Sequence, residues 1–285
     1  MAESTTGAVH TELNYLAPMA QALRTYTFDP PDGTPRFNGR LEAHRVTVHD
    51  ARALPIAPTL GTQGFMLREH RSAMRDFWNE AELRAVYYAE AQRLVCECTG
   101  ASQAVVFDHT LRRRAPGRPP LDGAGGSFAT VREPVGRVHA DYTQTSAQAR
   151  LRQVLGDAEA AARLRRRYAV LGVWRPLNAQ PLLDAPLALC DARSVQPGDM
   201  RCNELIYPDR RGETLVGVHN PRHDWYYYSR QRRDEAIVFK NFDSAAAPGG
   251  MAGVVPHTAF DDPEIPPDAP LRESIELRAF AFFDA

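Results

Sequence analysis

The segment Arg137-Val138-His139-Ala140-Asp141-Tyr142-Thr143 decides how this chain is read. It sets an imidazole and a carboxylate two positions apart among apolar and β-branched residues. Such a stretch predicts an extended strand, on which residues i and i+2 project to the same side. His139 and Asp141 therefore converge on one point, where a donor from a distant part of the chain would complete a metal-binding set. A His-x-Asp pair alone is a common accident, so its surroundings must carry the reading.

A chain of 285 residues is enough for a sizeable core and suits a single β-rich domain over residues 1–285. Apolar residues at 44% and charged residues at 24% are ordinary for a soluble globular protein. A net charge of −1 offers no footing for nucleic acid or an anionic membrane. No apolar run reaches the roughly 18 residues of a membrane span, and Met1 to Tyr15 lacks the basic-then-apolar pattern of a secretory leader. Cys96 and Cys98, two apart on an expected helix, suit neither a disulfide nor a zinc site. With only Cys190 and Cys202 besides, a reducing cytoplasm is the expected compartment. The partner expected is a small molecule. The oligomeric state is not declared, and a homodimer stays open.

The 22 prolines divide the chain into short segments, as on a β-rich scaffold. Residues 1–15 read as a loose terminus, and 17–60 as an irregular arm with a strand at Arg45-Val46-Thr47-Val48. Apolar spacing predicts a helix over 75–99, ended by Gly100. Ala104 to Leu111 has the texture of a buried strand. Residues 112–126, rich in Arg, Pro and Gly, read as a mobile loop with solvated charges. A helix is expected over 146–167, broken at Gly156-Asp157, with acids opening its second part and bases closing it. Strands are expected at 168–175, 187–191, 214–220, 225–229, 236–242 and 274–283. The chain thus divides into an irregular and helical part (1–100) packed on a β-barrel core (101–285) with a helical insert at about 144–167.

The third donor candidate is His257, in Val254-Val255-Pro256-His257-Thr258-Ala259-Phe260. Two histidines and one carboxylate on one face of an octahedral ion leave three positions open. Non-haem Fe(II) oxygenases use such a set to take a 2-oxo acid and dioxygen. The far carboxylate of such a co-substrate needs a cation. Arg272 and Ser274 share a strand face and can hold it together. Arg278, further along that face, is a competing anchor, and Arg175 in Trp174-Arg175-Pro176 is a third. Tyr142, Trp225 and Tyr227 are candidates for the substrate pocket, with core packing an equal alternative for the aromatics. His109, His219 and His223 read as structural, since Pro221 breaks any helical pairing of the last two. Asp234-Glu235 with Lys240 reads as a structural charge pair.

Several segments in one order carry a resemblance: Phe107-Asp108-His109-Thr110, Val138 to Thr143, Val173-Trp174-Arg175-Pro176-Leu177, Pro186 to Asp191, Asp224-Trp225-Tyr226-Tyr227, Phe239 to Ser244, Pro256 to Phe260 and Arg272 to Glu276. From about residue 100 to its end the chain resembles the gibberellin-desaturase-like oxygenases, which include relatives of the cephalosporin 7-alpha-hydroxylase/methoxylase component and fungal metabolite hydroxylases. The resemblance implies a mainly β fold with flanking helices and a double-stranded β-helix (jelly-roll) core. It implies Fe(II), with 2-oxoglutarate and dioxygen as co-substrates, and hydroxylation or desaturation of an unactivated C–H bond in a specialised metabolite. Carried over residue by residue, His139, Asp141 and His257 are the iron ligands, and Arg272 with Ser274 holds the oxoglutarate carboxylate. Methyl transfer is set aside, because no glycine-rich turn for S-adenosylmethionine is present. Two other readings stay open: an iron oxygenase on the same fold that does not use oxoglutarate, and a non-catalytic small-molecule-binding barrel.

Overall fold

All nine residues of the strand β7 (Tyr168–Pro176) are buried. An unbroken apolar run of this kind belongs to a strand covered on both faces. The computed structural model, which describes residues 7–31, 33–119, 121, 132–246 and 253–284, shows what covers it. β7 lies in the middle of a five-stranded antiparallel sheet ordered β4 (Phe65–Glu69), β12 (Glu235–Asp243), β7, β14 (Glu273–Phe282), β5 (Gln103–Arg113).

One face of this sheet is closed by a helix. A turn, α1 (Glu80–Glu82), is capped by the Asn79 side chain, widens over Leu83–Tyr87 and continues as α2 (Tyr88–Thr99). The helix begins five residues later than its apolar spacing suggested, because Asn79 caps it. Gly100, in the left-handed region at φ 72°, ends it as expected. Ala169, Leu171 and Val173 pack with Ile275, Leu277 and Ala279 beneath Tyr87, Ala91, Leu94 and Val95. Alternation sends Trp174 the other way, into a core with Phe65, Leu187, Leu189, Ile237, Phe239 and Val255.

That core is shared with a nine-stranded sheet. Its order is β1 (Ala8–Leu16), β3 (Leu41–Asp50), β11 (Trp225–Tyr227), β8 (Leu187–Cys190), β13 (His257–Ala259), β6 (His139–Ala140), β10 (Arg211–Gly217), β9 (Met200–Ile206), β2 (Leu23–Tyr26). The two sheets make the jelly roll. The larger one curls: isolated bridges Asn14↔Arg137 and Leu16↔Val218 bring β1 against β6 and β10. A second core fills the curl, with Leu13, Tyr15, Val48, Val138, Ala140, Cys190, Trp225 and Phe260. Residues 8–15, expected to be loose, belong to β1, which pairs with β3 along nine positions. Their apolar alternation, Val9, Leu13 and Tyr15, is interrupted by Thr11, which hides the strand. β9 was not expected either, since Arg201, Asn203 and Glu204 give it a polar texture.

The expected helical insert is α3 (Gln144–Leu155) and α4 (Asp157–Arg163), broken at Gly156 and ending four residues before Arg167. Ala147, Leu151 and Ala160 cover Tyr168, Val170, Phe280 and Phe282 at one end of the five-stranded sheet. Of the stretch read as a mobile loop, Arg112 and Arg113 belong to β5, while residues 120 and 122–126 lie outside the described residues. The expected pairing of Lys240 with Asp234-Glu235 is replaced. Lys240 Nζ lies 2.9 Å from Asp243, Arg232 pairs with Asp234, and Arg52 pairs with Glu235.

Gly172 on β7 stands between Phe239 on β12 and Arg278 on β14. A Cβ there would collide with the Phe239 ring. That ring in turn lies 4.8 Å from the ring of His257. We expect Gly172→Ala to lower the unfolding free energy by about 1–3 kcal/mol, the usual cost of overpacking a core. Urea denaturation measures it, and an unchanged midpoint would mean that Phe239 has room to move.

Candidate metal centre

β6 contributes only two residues, yet its register places the site. His139 is paired with Val216 of β10 on one side and with His257 of β13 on the other. Directly opposed residues share a face of the sheet, so the two imidazoles stand side by side, 4.4 Å between ring centroids. Asp141, two residues after His139, projects the same way, and its Oδ1 lies 3.6 Å from His139 Nε2. One donor atom from each of His139, Asp141 and His257 falls within 4.8 Å of the other two. The three residues that the sequence brought forward as ligands are thus brought together.

Both imidazoles are held in the same way. His139 Nδ1 is 2.9 Å from the carbonyl of Arg137, and His257 Nδ1 is 3.0 Å from that of Val255. A carbonyl only accepts, so each Nδ1 donates its proton and each Nε2 is the nitrogen turned toward the site. His257 Nε2 is buried and has no hydrogen-bond partner. A buried nitrogen left in that state costs free energy unless something ligates it. Burial and then the neighbouring His257 push the His139 imidazole down to about 3, so it is neutral at physiological pH. Burial alone would raise the Asp141 carboxyl. Arg278, His257 and His139 outweigh it and hold Asp141 well below the usual carboxylate range. Two imidazoles and one carboxylate facing one point fit a divalent ion of the non-haem iron type.

The other candidates divide. Arg278 Nε donates to Asp141 Oδ2 at 2.5 Å, and its remaining nitrogens reach Thr110, Asp108 and Glu276. It orients the carboxylate rather than waiting for a co-substrate. Arg272 is buried; its Nε donates to Ser274 Oγ at 3.0 Å, its Nη1 to the Ala185 carbonyl at 2.6 Å, and its guanidinium lies over Trp174. Arg272 and Ser274, which the sequence placed on one strand face, are thus joined by a hydrogen bond. Arg175 does not join them. It pairs opposite Ile275, whose side chain faces α2, and it lies over Tyr87 and Phe77. Its guanidinium donates to His70 Nδ1 and to the carbonyls of His70 and Arg233. It lies on the opposite side of the sheet from Trp174, since neighbours along a strand alternate.

Tyr142 is half-buried near Arg278, edge-on to Phe107 at 6.2 Å, at the border of the site. Trp225 and Tyr227 were expected at the pocket, but they point into the second core. Trp225 Nε1 donates to Tyr15 Oη at 2.8 Å, and Tyr227 meets Phe260 edge-on. Alternation turns Tyr226 toward the inter-sheet core instead. The aromatic run was identified as a strand, but its phase depends on the curl of the larger sheet. His109 is tied to Tyr88 and Glu80, and His223 to Tyr15 and Asp199, so both serve as structural groups. Glu276 and Arg112 were missed. Glu276 continues the polar series Arg272, Ser274, Arg278 on one face of an apolar strand, an alternation already visible in the sequence. Arg112 was hidden among neighbouring arginines.

Comparison with known proteins agrees with this geometry. Residues 13–282 match the family model described as "Oxidoreductase/YMDC permease-like domain". The chain is 32% identical over 264 residues to the Fe(II)/2-oxoglutarate-dependent dioxygenase nvfI of Aspergillus novofumigatus, covering 90% of each chain. It is 31% identical to the hydroxylase/desaturase efuI of Hormonema carpetanum, covering 97% of this chain and 95% of that one. A solved structure of a variant of the iron and alpha-ketoglutarate-dependent endoperoxidase NvfI superimposes with a TM-score of 0.86 at 28% identity, covering 100% of both chains. A jelly roll with two histidines and an aspartate facing one point defines an oxygenase class. This chain belongs to the family of Fe(II)/2-oxoglutarate-dependent oxygenases represented by these relatives, and it is an enzyme of that class.

Arg278→Ala should weaken Fe(II) binding about 10- to 100-fold, the usual cost of losing a group that orients a metal ligand. Anaerobic metal titration measures it, and an unchanged affinity would show that Asp141 holds its place unaided. A pH effect is expected away from the centre. Burial and then Arg175 push His70 down to about 4, below the unfolded value near 6.5. Between those values the unfolded chain binds the proton and the folded one does not. The stability that His70 allows above pH 6.5 is therefore lost as pH falls toward 4. His70→Asn should flatten that part of the stability–pH curve; an identical curve would assign the loss to other groups.

Proposed function

We propose that His139, Asp141 and His257 hold one Fe(II), and that the chain uses 2-oxoglutarate and dioxygen to hydroxylate or desaturate an unactivated C–H bond of a small specialised metabolite. The observation that carries this is the buried, unpartnered Nε2 of His257 beside His139 and Asp141. When bound there, the iron supplies the activation of dioxygen that no side chain can provide. The protein's own groups do the rest. The carbonyls of Arg137 and Val255 fix both imidazole tautomers. Arg278 keeps Asp141 anionic and aimed. Arg272 and Ser274 hold the distal carboxylate of oxoglutarate with a charge-assisted fork and a hydroxyl. Phe239 packs on His257 and helps keep water from the centre. Tyr142, beside Asp141, borders the space where substrate stands. Whether an alcohol or an alkene forms depends on where the substrate's C–H bonds are held, since both outcomes start from the same attack.

Support comes from relatives named dioxygenase and hydroxylase/desaturase over nearly the whole chain. The same reading takes residues 1–285 as one oxygenase domain, because β1 and β3 enter the sheet that carries the ligands. It places the protein in a reducing cytoplasm, since all four cysteines are free. No described helix is long and apolar enough to cross a membrane, and with its charge near zero we assign neither nucleic acid nor membrane as a partner.

The test uses purified protein loaded with Fe(II) without oxygen, then exposed to air with oxoglutarate and a panel of candidate metabolites. Mass spectrometry should find succinate and a product changed by one oxygen or two hydrogens. His139→Ala and His257→Ala should each lose iron and all succinate formation. Substrate-dependent succinate from both variants would defeat the assignment.

A further inference from the structure

Arg112 lies in β5 directly opposite Ser274 of β14. Opposed residues on antiparallel strands share a face, so Arg112 projects from the face that carries Ser274, Glu276 and Arg278. Its Nη1 donates to the Glu133 carbonyl at 2.7 Å, which fixes one edge of the guanidinium. Of the arginines around it, Arg132 is exposed and two others are paired with acids. Arg278 is paired with Asp141, and Arg114 with Asp261 at 3.0 Å. Arg112 and Arg272 are not: among the described residues, neither guanidinium has a carboxylate within 4.0 Å. Glu276, the acid on the same face, leaves its Oε1 without a hydrogen bond and turns it toward Arg278 at 3.4 Å.

Arg112 is half-buried and Arg272 buried, and like charges on one face without a close counter-ion repel each other and lack solvation. Their environment reflects that stress. Burial pushes Arg112 down to about 10, and burial followed by Arg112 pushes Arg272 down to about 9. Both remain charged at neutral pH. Glu276 attracts both and Asp184 attracts Arg272, but among the described residues neither acid comes within 4.0 Å of either guanidinium. Two cations left without a close counter-ion on one face are the pattern of a site that receives an anion. We propose that Arg112 is a second cation for the distal carboxylate of oxoglutarate, closing on it from β5 while Arg272 and Ser274 close on it from the start of β14. The proposal rests on the assignment of Arg272 and Ser274 as the oxoglutarate anchor, and it adds a residue that is remote from them in sequence.

Calorimetric titration of Fe(II)-loaded protein under argon tests it with two ligands. One is 2-oxoglutarate. The other is 2-oxobutyrate, which has the same chelating end and no distal carboxylate. Arg112→Gln should bind oxoglutarate about 10- to 100-fold more weakly, the loss expected for a hydrogen bond to a charged group. It should bind 2-oxobutyrate and iron as the parent does. Should Arg112→Gln not fold, Arg112→Lys carries the test, with the same selectivity and a smaller loss, because an ammonium replaces a fork with a single point of contact. Undiminished oxoglutarate binding, or an equal loss for both acids, would overturn the proposal and make Arg112 structural. Arg272→Gln is the control for the underlying assignment. If it leaves oxoglutarate binding intact, the anchor itself is wrong, whatever Arg112 does.

Discussion

Everything at the centre depends on one cross-strand pairing, His139 against His257. Strand side chains alternate, so a slip of one residue in either short strand would turn an imidazole into the opposite core. β6 and β13 are too short to hold that register themselves. It is imposed from both flanks. Gly217 N donates to the Val138 carbonyl at 2.9 Å, and Cys190 N to that of Pro256 at 2.8 Å. A capping box at Thr143 and Ser146 starts α3 three residues after Asp141 and anchors the other end of the ligand segment.

The second constraint is charge. The space between the sheets holds histidines, carboxylates and guanidiniums away from bulk water. Such groups persist only where each has a partner or awaits one. Asp141 has Arg278, the two Nδ1 atoms have carbonyls, and Arg272 has Ser274 and Ala185. Among the groups left over on the ligand-bearing side are the His257 Nε2 atom and the guanidiniums of Arg112 on β5 and Arg272 just before β14, neither of which has a carboxylate within 4.0 Å among the described residues. A metal ion and a carboxylate are the complements of those groups, which is the chemistry of the proposed site.

The packing serves this arrangement. Gly172 allows the Phe239 ring to lie close over β7, and that ring supports His257. α2 closes the far side of the five-stranded sheet, where Arg175 is used as a clamp on His70, Tyr87 and Phe77. The N-terminal strands close the curl of the larger sheet, where Trp225 and Tyr227 serve as core. These two faces lie away from the centre, which is why residues that looked functional by type turned out to be structural by position.

The sequence by itself determined the candidate set His139, Asp141 and His257, the shared face of Arg272 and Ser274, the strand character of the C-terminal half and the ends of α2 at Gly100 and α3 at Gly156. Each of these is written in local spacing, because a period of two or a glycine acts within a few residues. Only the tertiary structure decided which face of each strand looks inward. It turned Arg175, Trp225 and Tyr227 away from the centre and brought Arg112 and Glu276 onto the face that looks toward it. It also recruited residues 8–16 into the sheet. The physical reason is the same in every case. Alternation states that two faces exist, but which of them is dry, wet or catalytic is set by strands and helices that arrive from elsewhere in the chain.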